Sequence, residues 1–167
     1  SLYHDMDVSY NEDSKVYSLS TTGGDPYIFT KTLTADLPSD SCVIAFEYRC
    51  PKGVSDLQVF FADPVSESNS ARTSQIPATI GSEWATFRFN IKNYRELFGW
   101  GKKGDRLRLD FGSASGVDIS IRHFRIRIMT DAEKEQLARA DSLEKAKKTM
   151  AQNLTKYLSA SYDSKIT

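Results

Sequence analysis

The side chains of this 167-residue chain that could do chemistry are few: two cysteines, two histidines and carboxylates scattered among arginines. Cys42 and Cys50 fall in one extended stretch. At about 3.3 Å per residue they stand roughly 26 Å apart, whereas a disulfide holds its Cα atoms about 5.5 Å apart. Two free thiols acting as small core residues are therefore expected. His4 and His123 are distant in sequence and no Cys-x-x-Cys pair exists, so no zinc ligand set is visible. Neither a G-x-S-x-G elbow nor a G-x-x-x-x-G-K-[ST] loop is present. Gly23-Gly24 lacks the third glycine of a dinucleotide loop and precedes a strand, not a helix. Glu47 and Asp110 are carboxylates of the kind glycosidic cleavage uses in facing pairs. Each alternates with arginine on a strand, which reads as a cross-strand charge ladder on a solvated face. The expectation is a protein that is not an enzyme and carries no cofactor.

Charge narrows the partners. Lys and Arg number 22, Asp and Glu 22, and the formal net charge is zero. That balance argues against a protein whose main task is coating nucleic acid or anionic lipid. The run Arg122-His123-Phe124-Arg125-Ile126-Arg127 is the most basic segment. It reads first as a solvated outer face, with an anionic-ligand or partner surface and a nucleic-acid strip as alternatives. No apolar run approaches the roughly 20 residues of a membrane helix. The first residues, Ser1-Leu2-Tyr3-His4-Asp5, are not a charged start followed by an apolar run, so they are no signal peptide. Both ends suggest a piece cut from a longer chain. Asn153-Leu154-Thr155 matches a glycosylation triplet but falls in a helical pattern.

The elements that must position these groups come in two periods. Residues 16–129 read as strands: Val16–Thr21, Tyr27–Leu33, Cys42–Cys50, Leu57–Phe61, Trp84–Ile91, Arg106–Phe111 and Val117–Met129, with a weak edge strand near Ala71–Ile76. Lys92–Phe98 is expected as a short helical turn. In the last strand Val117, Ile119 and Ile121 share one parity and Phe124, Ile126 and Ile128 the other, which predicts a β-bulge near Arg122-His123. At Thr130 the period changes. Thr130 and Glu133 form a capping-box pattern, and Leu137, Ala140, Leu143, Met150, Leu154 and Tyr157 follow helical spacing. The pairs Glu135–Arg139, Asp141–Lys145 and Glu144–Lys148 add i,i+4 support. The fold class expected is mainly β: a two-sheet antiparallel β-sandwich of jelly-roll type followed by one long C-terminal α-helix. Residues 1–130 form the sandwich, 131–160 an amphipathic linker helix ending near 158, and 161–167 the start of a following segment.

Several stretches together carry a resemblance: Thr22-Gly23-Gly24-Asp25-Pro26-Tyr27-Ile28, Phe46-Glu47-Tyr48-Arg49, Phe98-Gly99-Trp100-Gly101-Lys102-Lys103-Gly104-Asp105, Leu107-Arg108-Leu109-Asp110-Phe111-Gly112 and the basic run after Ile121. The chain resembles the N-terminal galactose-binding-like, carbohydrate-binding-module-type β-sandwiches of secreted glycan-degrading proteins from gut Bacteroidetes, over about residues 16–130. The resemblance implies a non-catalytic, carbohydrate-binding accessory module of a larger secreted glycan-active protein, periplasmic or cell-surface, whose signal peptide is removed. Its partners would be a glycan or polysaccharide and its own downstream domain, with no nucleic acid and no membrane span. The alternative is a structural module that docks on that downstream domain and binds no sugar. Sugar recognition needs a flat aromatic and a few fixed polar groups. Trp100, between glycines, is the foremost platform candidate, with a plug at the bottom of the sandwich as its other reading. Lys102 and Asp105 would supply polar reach. Tyr27 and Asp25 are either contacts or parts of a structural turn, and Trp84 is either a platform or a rim residue. A structural calcium occurs in related sandwiches; Asp25 could ligate one, though no oxygen-rich cluster is evident.

Overall fold

A computed structural model describes residues 2–36, 42–62, 64–91 and 102–166. The expected turn at Lys92–Phe98 and the loop tip at Trp100 lie outside the described residues. Ten strands appear among the described residues: β1 (Tyr3–His4), β2 (Met6–Asn11), β3 (Val16–Thr21), β4 (Tyr27–Phe29), β5 (Cys42–Arg49), β6 (Leu57–Phe60), β7 (Ser70–Arg72), β8 (Ala85–Ile91), β9 (Arg108–Phe111) and β10 (Asp118–Ile128). They make two five-stranded sheets, ordered β1-β4-β9-β6-β7 and β2-β3-β10-β5-β8. Every pairing is antiparallel. The fold is a mainly β sandwich with one C-terminal helix, as the strand periods predict.

The inward side chains of both sheets merge into one core. Leu19, Ile44, Phe46, Phe87, Ile119 and Ile121 come from one layer, and Leu57, Val59, Leu109 and Phe111 from the other. Phe46 sits at its centre, fully buried, 5.0 Å from the ring of Phe87 and 6.1 Å from that of Phe124. Tyr48 brings its one polar atom into this layer and donates its hydroxyl proton to the Pro77 carbonyl at 2.8 Å, so the buried oxygen is satisfied. Cys42 and Cys50 are buried and free, and burial pushes the Cys42 thiol up to about 11.

The bulge falls where the parity slip in the sequence places it. Arg122 faces Glu47 and Arg125 faces Ala45, so His123 and Phe124 together oppose Phe46. His123 takes φ 54, in the left-handed region that side chains other than glycine seldom occupy. That single residue lets Ile121 and Phe124 both face the core.

Three differences from the sequence reading concern the ends of elements. Strands β1 and β2 precede the first expected strand. Met6, Val8 and Tyr10 do alternate with Asp7, Ser9 and Asn11, but only Met6 is fully buried because β2 is an edge. The edge strand near residue 71 is shorter and earlier, Ser70–Arg72, and Ile76 instead bridges Val54. The helix α1 runs Asp131–Ile166, beyond the expected end near 158, and takes in residues 161–166. No glycine or proline occurs there to stop it.

Residues 1–128 and 129–167 form two compact units. In the second, the capping box closes as expected: Glu133 N–H donates to Thr130 Oγ1 at 3.2 Å and Thr130 N–H to Glu133 Oε1 at 3.0 Å. Glu135 pairs with Arg139 at 3.2 Å, while Glu144 reaches Lys147. Thr155 is inside the helix, bonded to the Ala151 carbonyl. Leu143, Met150, Leu154 and Leu158 are exposed along it. Among the described residues no helix is long and apolar enough to cross a membrane.

Candidate functional site

In the first sheet Leu57, Val59, Leu109 and Phe111 point into the core, so their neighbours along each strand point out. Register then lines up one outward residue per strand. His4 faces Tyr27, Tyr27 faces Asp110, Asp110 faces Gln58 and Gln58 faces Arg72. A second row runs beside it through Phe29, Arg108, Phe60 and Ser70. Residues distant in sequence thus share one surface.

That surface is half-buried and dense in polar contacts. Arg108 lies with its guanidinium carbon 4.2 Å from the Tyr27 ring and 4.6 Å from the Phe60 ring. Its Nε and one terminal nitrogen donate to the two oxygens of Asp110, each at 2.8 Å, the bidentate geometry that fixes both groups. Both side chains are mostly buried, 16% and 14% exposed. Burial raises the Asp110 carboxyl above its ordinary value, with Arg108 opposing. Asp110 is therefore neither solvated nor in a cross-strand ladder, unlike the sequence reading; its partner is two residues away on its own strand. Gln58 is 7% exposed. Its amide donates to Glu67 Oε1 and Oε2 at 3.2 and 3.1 Å and to Ser70 Oγ, and its carbonyl accepts from Arg72 at 2.7 Å. Arg72 also pairs with Asp56 at 2.5 Å. A short 3₁₀ turn, Glu67–Asn69, carries Glu67 to this point, anchored by buried Asn69, whose amide donates to the Pro64 carbonyl.

At the β1–β4 edge the surface ends in an aromatic pair. His4 stacks on Tyr27 with centroids 5.1 Å apart, and its Nδ1 donates to the Asp25 carbonyl at 3.0 Å. That bond raises the histidine's pKa. The turn before β4 wraps around Asp5: the Asp25 N–H donates to Asp5 Oδ2, and a Cβ on Gly23 would stand 2.4 Å from the Asp5 carboxyl carbon. Any side chain there would have to displace the Asp5 carboxylate from the turn. The Gly23-Gly24-Asp25-Pro26 signature is thereby accounted for as a turn that fixes Tyr27.

Of the sequence-predicted residues, Trp100 lies outside the described residues, and Tyr27, Asp25, Lys102, Asp105 and Trp84 do not converge. Tyr27 lies on the outward face of the first sheet and Asp25 in the turn before it. Lys102 and Asp105 sit at the opposite end of β9, in a loop where Lys102 N–H donates to Asp105 Oδ2 and Leu33 N–H to the Asp105 carbonyl. Trp84 belongs to the other layer. It precedes Ala85, which pairs with Tyr48, and the guanidinium carbons of Arg49 and Arg122 lie 4.3 and 4.1 Å from its ring. Among the described residues no group of three or more His, Cys, Asp or Glu could hold a metal ion. His4, Gln58, Glu67, Arg72 and Arg108 are not singled out as binding residues by the sequence. One signal was available: Gln58 is the lone polar residue in the apolar run Leu57–Phe61, which marks it as outward-facing.

No protein-family model matches the chain, and no curated protein matches it. Solved structures do. A family 29 carbohydrate-binding module from Piromyces equi superposes with TM-score 0.52 at 15% identity, over 74% of this chain and 75% of that one. A carbohydrate-binding module of Cellvibrio mixtus lichenase 5A, solved with cellotriose, gives 0.53 at 13% identity over 78% and 92%. The agarase AgWH50C gives 0.54 at 9% identity, over 77% of this chain but 24% of its own length. The fold is thus that of carbohydrate-binding-module β-sandwiches.

Proposed function

We propose that this chain is a non-catalytic carbohydrate-binding module that holds an uncharged glycan on the outward face of its first sheet, as an accessory part of a larger secreted glycan-active protein. The observation that carries the reading is the cross-strand row His4–Tyr27–Asp110–Gln58–Arg72, an aromatic edge continuous with planar amide, guanidinium and carboxylate groups. Aromatic faces suit the C–H side of a pyranose, and forked donors beside carboxylates suit vicinal hydroxyls. Two of the cations there have an anion beside them, Arg108 with Asp110 and Arg72 with Asp56, which lowers the charge that an uncharged ligand meets; Arg106 lies over the Phe29 ring. Both oxygens of Asp110 are engaged by Arg108, which favours positioning over proton transfer. The module would act by tethering, raising the local concentration of polysaccharide near a catalytic partner.

Affinity electrophoresis against soluble neutral polysaccharides tests this. Tyr27→Ala and Arg72→Ala are each expected to weaken retention about tenfold, the loss of one good contact, with unchanged circular dichroism. Retention undiminished in both variants would sink the reading. Trp100→Ala belongs in the same series, because Trp100 with Lys102 and Asp105 is a second candidate contact loop. A different reading, docking on a downstream domain without binding sugar, is favoured by the exposed Leu143, Met150, Leu154 and Leu158 of α1 and predicts no retention on any glycan.

A further inference from the structure

The outward face of the second sheet has a different composition. Arg49, Arg88, Arg122, Arg125 and Arg127 all project from it, since Phe46, Tyr48, Ile121, Phe87 and their parity mates fill the core. On β5, β8 and β10 the carboxylates of that face are Glu47 and Asp118. Asp118 stands at the far end of β10, where it accepts a hydrogen bond from Ser20 at 2.7 Å. Glu47 is shared by Arg122 and His123. Among the described residues, Arg49, Arg88, Arg122 and Arg125 thus outnumber the acid beside them on one half of this face, in a chain with no net charge.

The backbone is arranged to make this face. Residues 122 and 125 have opposite parity and in a regular strand would point to opposite sides. The bulge at His123, at the cost of a left-handed non-glycine residue, turns Arg122, Arg125 and Arg127 outward together. Arg125 and Arg88 flank the small, fully buried Ala45 on neighbouring strands, so their stems lie along apolar surface with their charged heads in solvent. Both are exposed. At the upper end Trp84 supports Arg49 and Arg122 against its ring, and a stacked guanidinium keeps its N–H edge free for an in-plane acceptor. Arg49 Nε is buried and has no hydrogen-bond acceptor.

We propose that this face is a second binding surface, for an anionic polysaccharide bearing carboxylates or sulfates, separate from the neutral-glycan face of the first sheet. Planar, forked guanidiniums on adjacent strands match planar carboxylates or tetrahedral sulfates repeated along a chain. The choice of a glycan over another polyanion rests on the carbohydrate-binding reading above; the anion preference rests on the arginines alone.

Affinity electrophoresis of the full chain on polygalacturonate, dextran sulfate, a neutral β-glucan and single-stranded DNA tests it at low and high salt. Wild type is expected to be retained by polygalacturonate or dextran sulfate, more weakly by DNA, with retention falling steeply as salt screens the contacts. Arg88→Gln with Arg125→Gln, two exposed side chains outside the Glu47 cluster, should weaken anionic retention at least about tenfold. Neutral-glycan retention and the thermal midpoint should stay unchanged. Tyr27→Ala should leave anionic retention unchanged. No retention on either anionic polysaccharide at low salt, retention unaffected by the arginine pair, or tighter retention by DNA would each overturn the proposal. Failure of the neutral-glycan reading shows separately, as loss of the β-glucan arm in wild type.

Discussion

On the first sheet Arg72 and Arg108 each lie against a carboxylate of their own, Asp56 and Asp110. On the second, Arg49, Arg88, Arg122 and Arg125 stand around one acid, Glu47, which pairs with Arg122. Both surfaces are built from arginine, acid and one or two aromatic rings, so residue type does not separate them. Pairing does. Matched charges that are partly withdrawn from water leave dipoles and flat apolar faces, which suit hydroxyl-rich ligands. Unmatched guanidiniums leave a field, which suits anions. The depth of burial differs in the same sense: Arg108 and Asp110 are about half as exposed as Arg122 and Glu47, whose side chains are 31% and 26% exposed.

The largest expected difference follows from that depth. Arg108→Ala strands the Asp110 carboxylate in a setting that already raises its pKa. It also removes the cation from two aromatic rings. A loss of about 3 kcal/mol in urea unfolding is expected. Replacing both partners, Arg108→Met with Asp110→Leu, should recover most of it, because breaking a buried pair costs more than exchanging it for apolar groups. Arg122→Ala on the other face should leave the unfolding midpoint close to wild type, since exposed pairs contribute little. Equal losses at Arg108 and Arg122 would erase the distinction between the faces.

A smaller effect tests the device that makes the second face. His123→Val places a β-branched side chain at φ 54 and should cost about 1–2 kcal/mol. His123→Gly, which accepts that backbone, should match wild type or exceed it. If valine is tolerated as well as glycine, the bulge is not held as described, and the common orientation of Arg122, Arg125 and Arg127 loses its cause.

The bulge was legible in the sequence because apolar parity is a local signal, carried by Ile121 and Phe124 within four residues. The capping box at Thr130 was legible for the same reason. The first-sheet surface was not. His4, Tyr27, Asp110, Gln58 and Arg72 are brought together only by strand order, and β1-β4-β9-β6-β7 cannot be read from periods. Two of its strands also hide. β1 has only two residues, and β7 three within a polar stretch. Charge pairing misled for a related reason. Glu47 does pair across strands, with Arg122, but Asp110 in an equally alternating context bonds along its own strand. What decides between them is the neighbouring strands: β4 offers Asp110 the residue Tyr27 and β6 offers it Gln58, neither of them charged.

The two carboxylates provide the finest test of the comparison, because their shifts have opposite signs. Arg122, with His123, holds the Glu47 carboxyl below its ordinary value, whereas burial holds Asp110 above its own. For Glu47 the native state releases its proton first as pH rises. It therefore contributes stability that is present above the ordinary glutamate value and lost as pH falls through the lower native one. For Asp110 the unfolded state releases first, so stability falls as pH climbs from the ordinary aspartate value to the raised native one, and stays lowered above it. Carboxyl-carbon NMR titration should find Glu47 below and Asp110 above the ordinary range. Urea unfolding through the acid range should respond in opposite directions to the neutral variants. Glu47→Gln removes a gain that grows with pH, and Asp110→Asn removes a loss that grows with pH. Shifts of the same sign at both residues would mean that the two faces do not differ in solvation, and that the contrast drawn from their ion pairs is one of geometry alone.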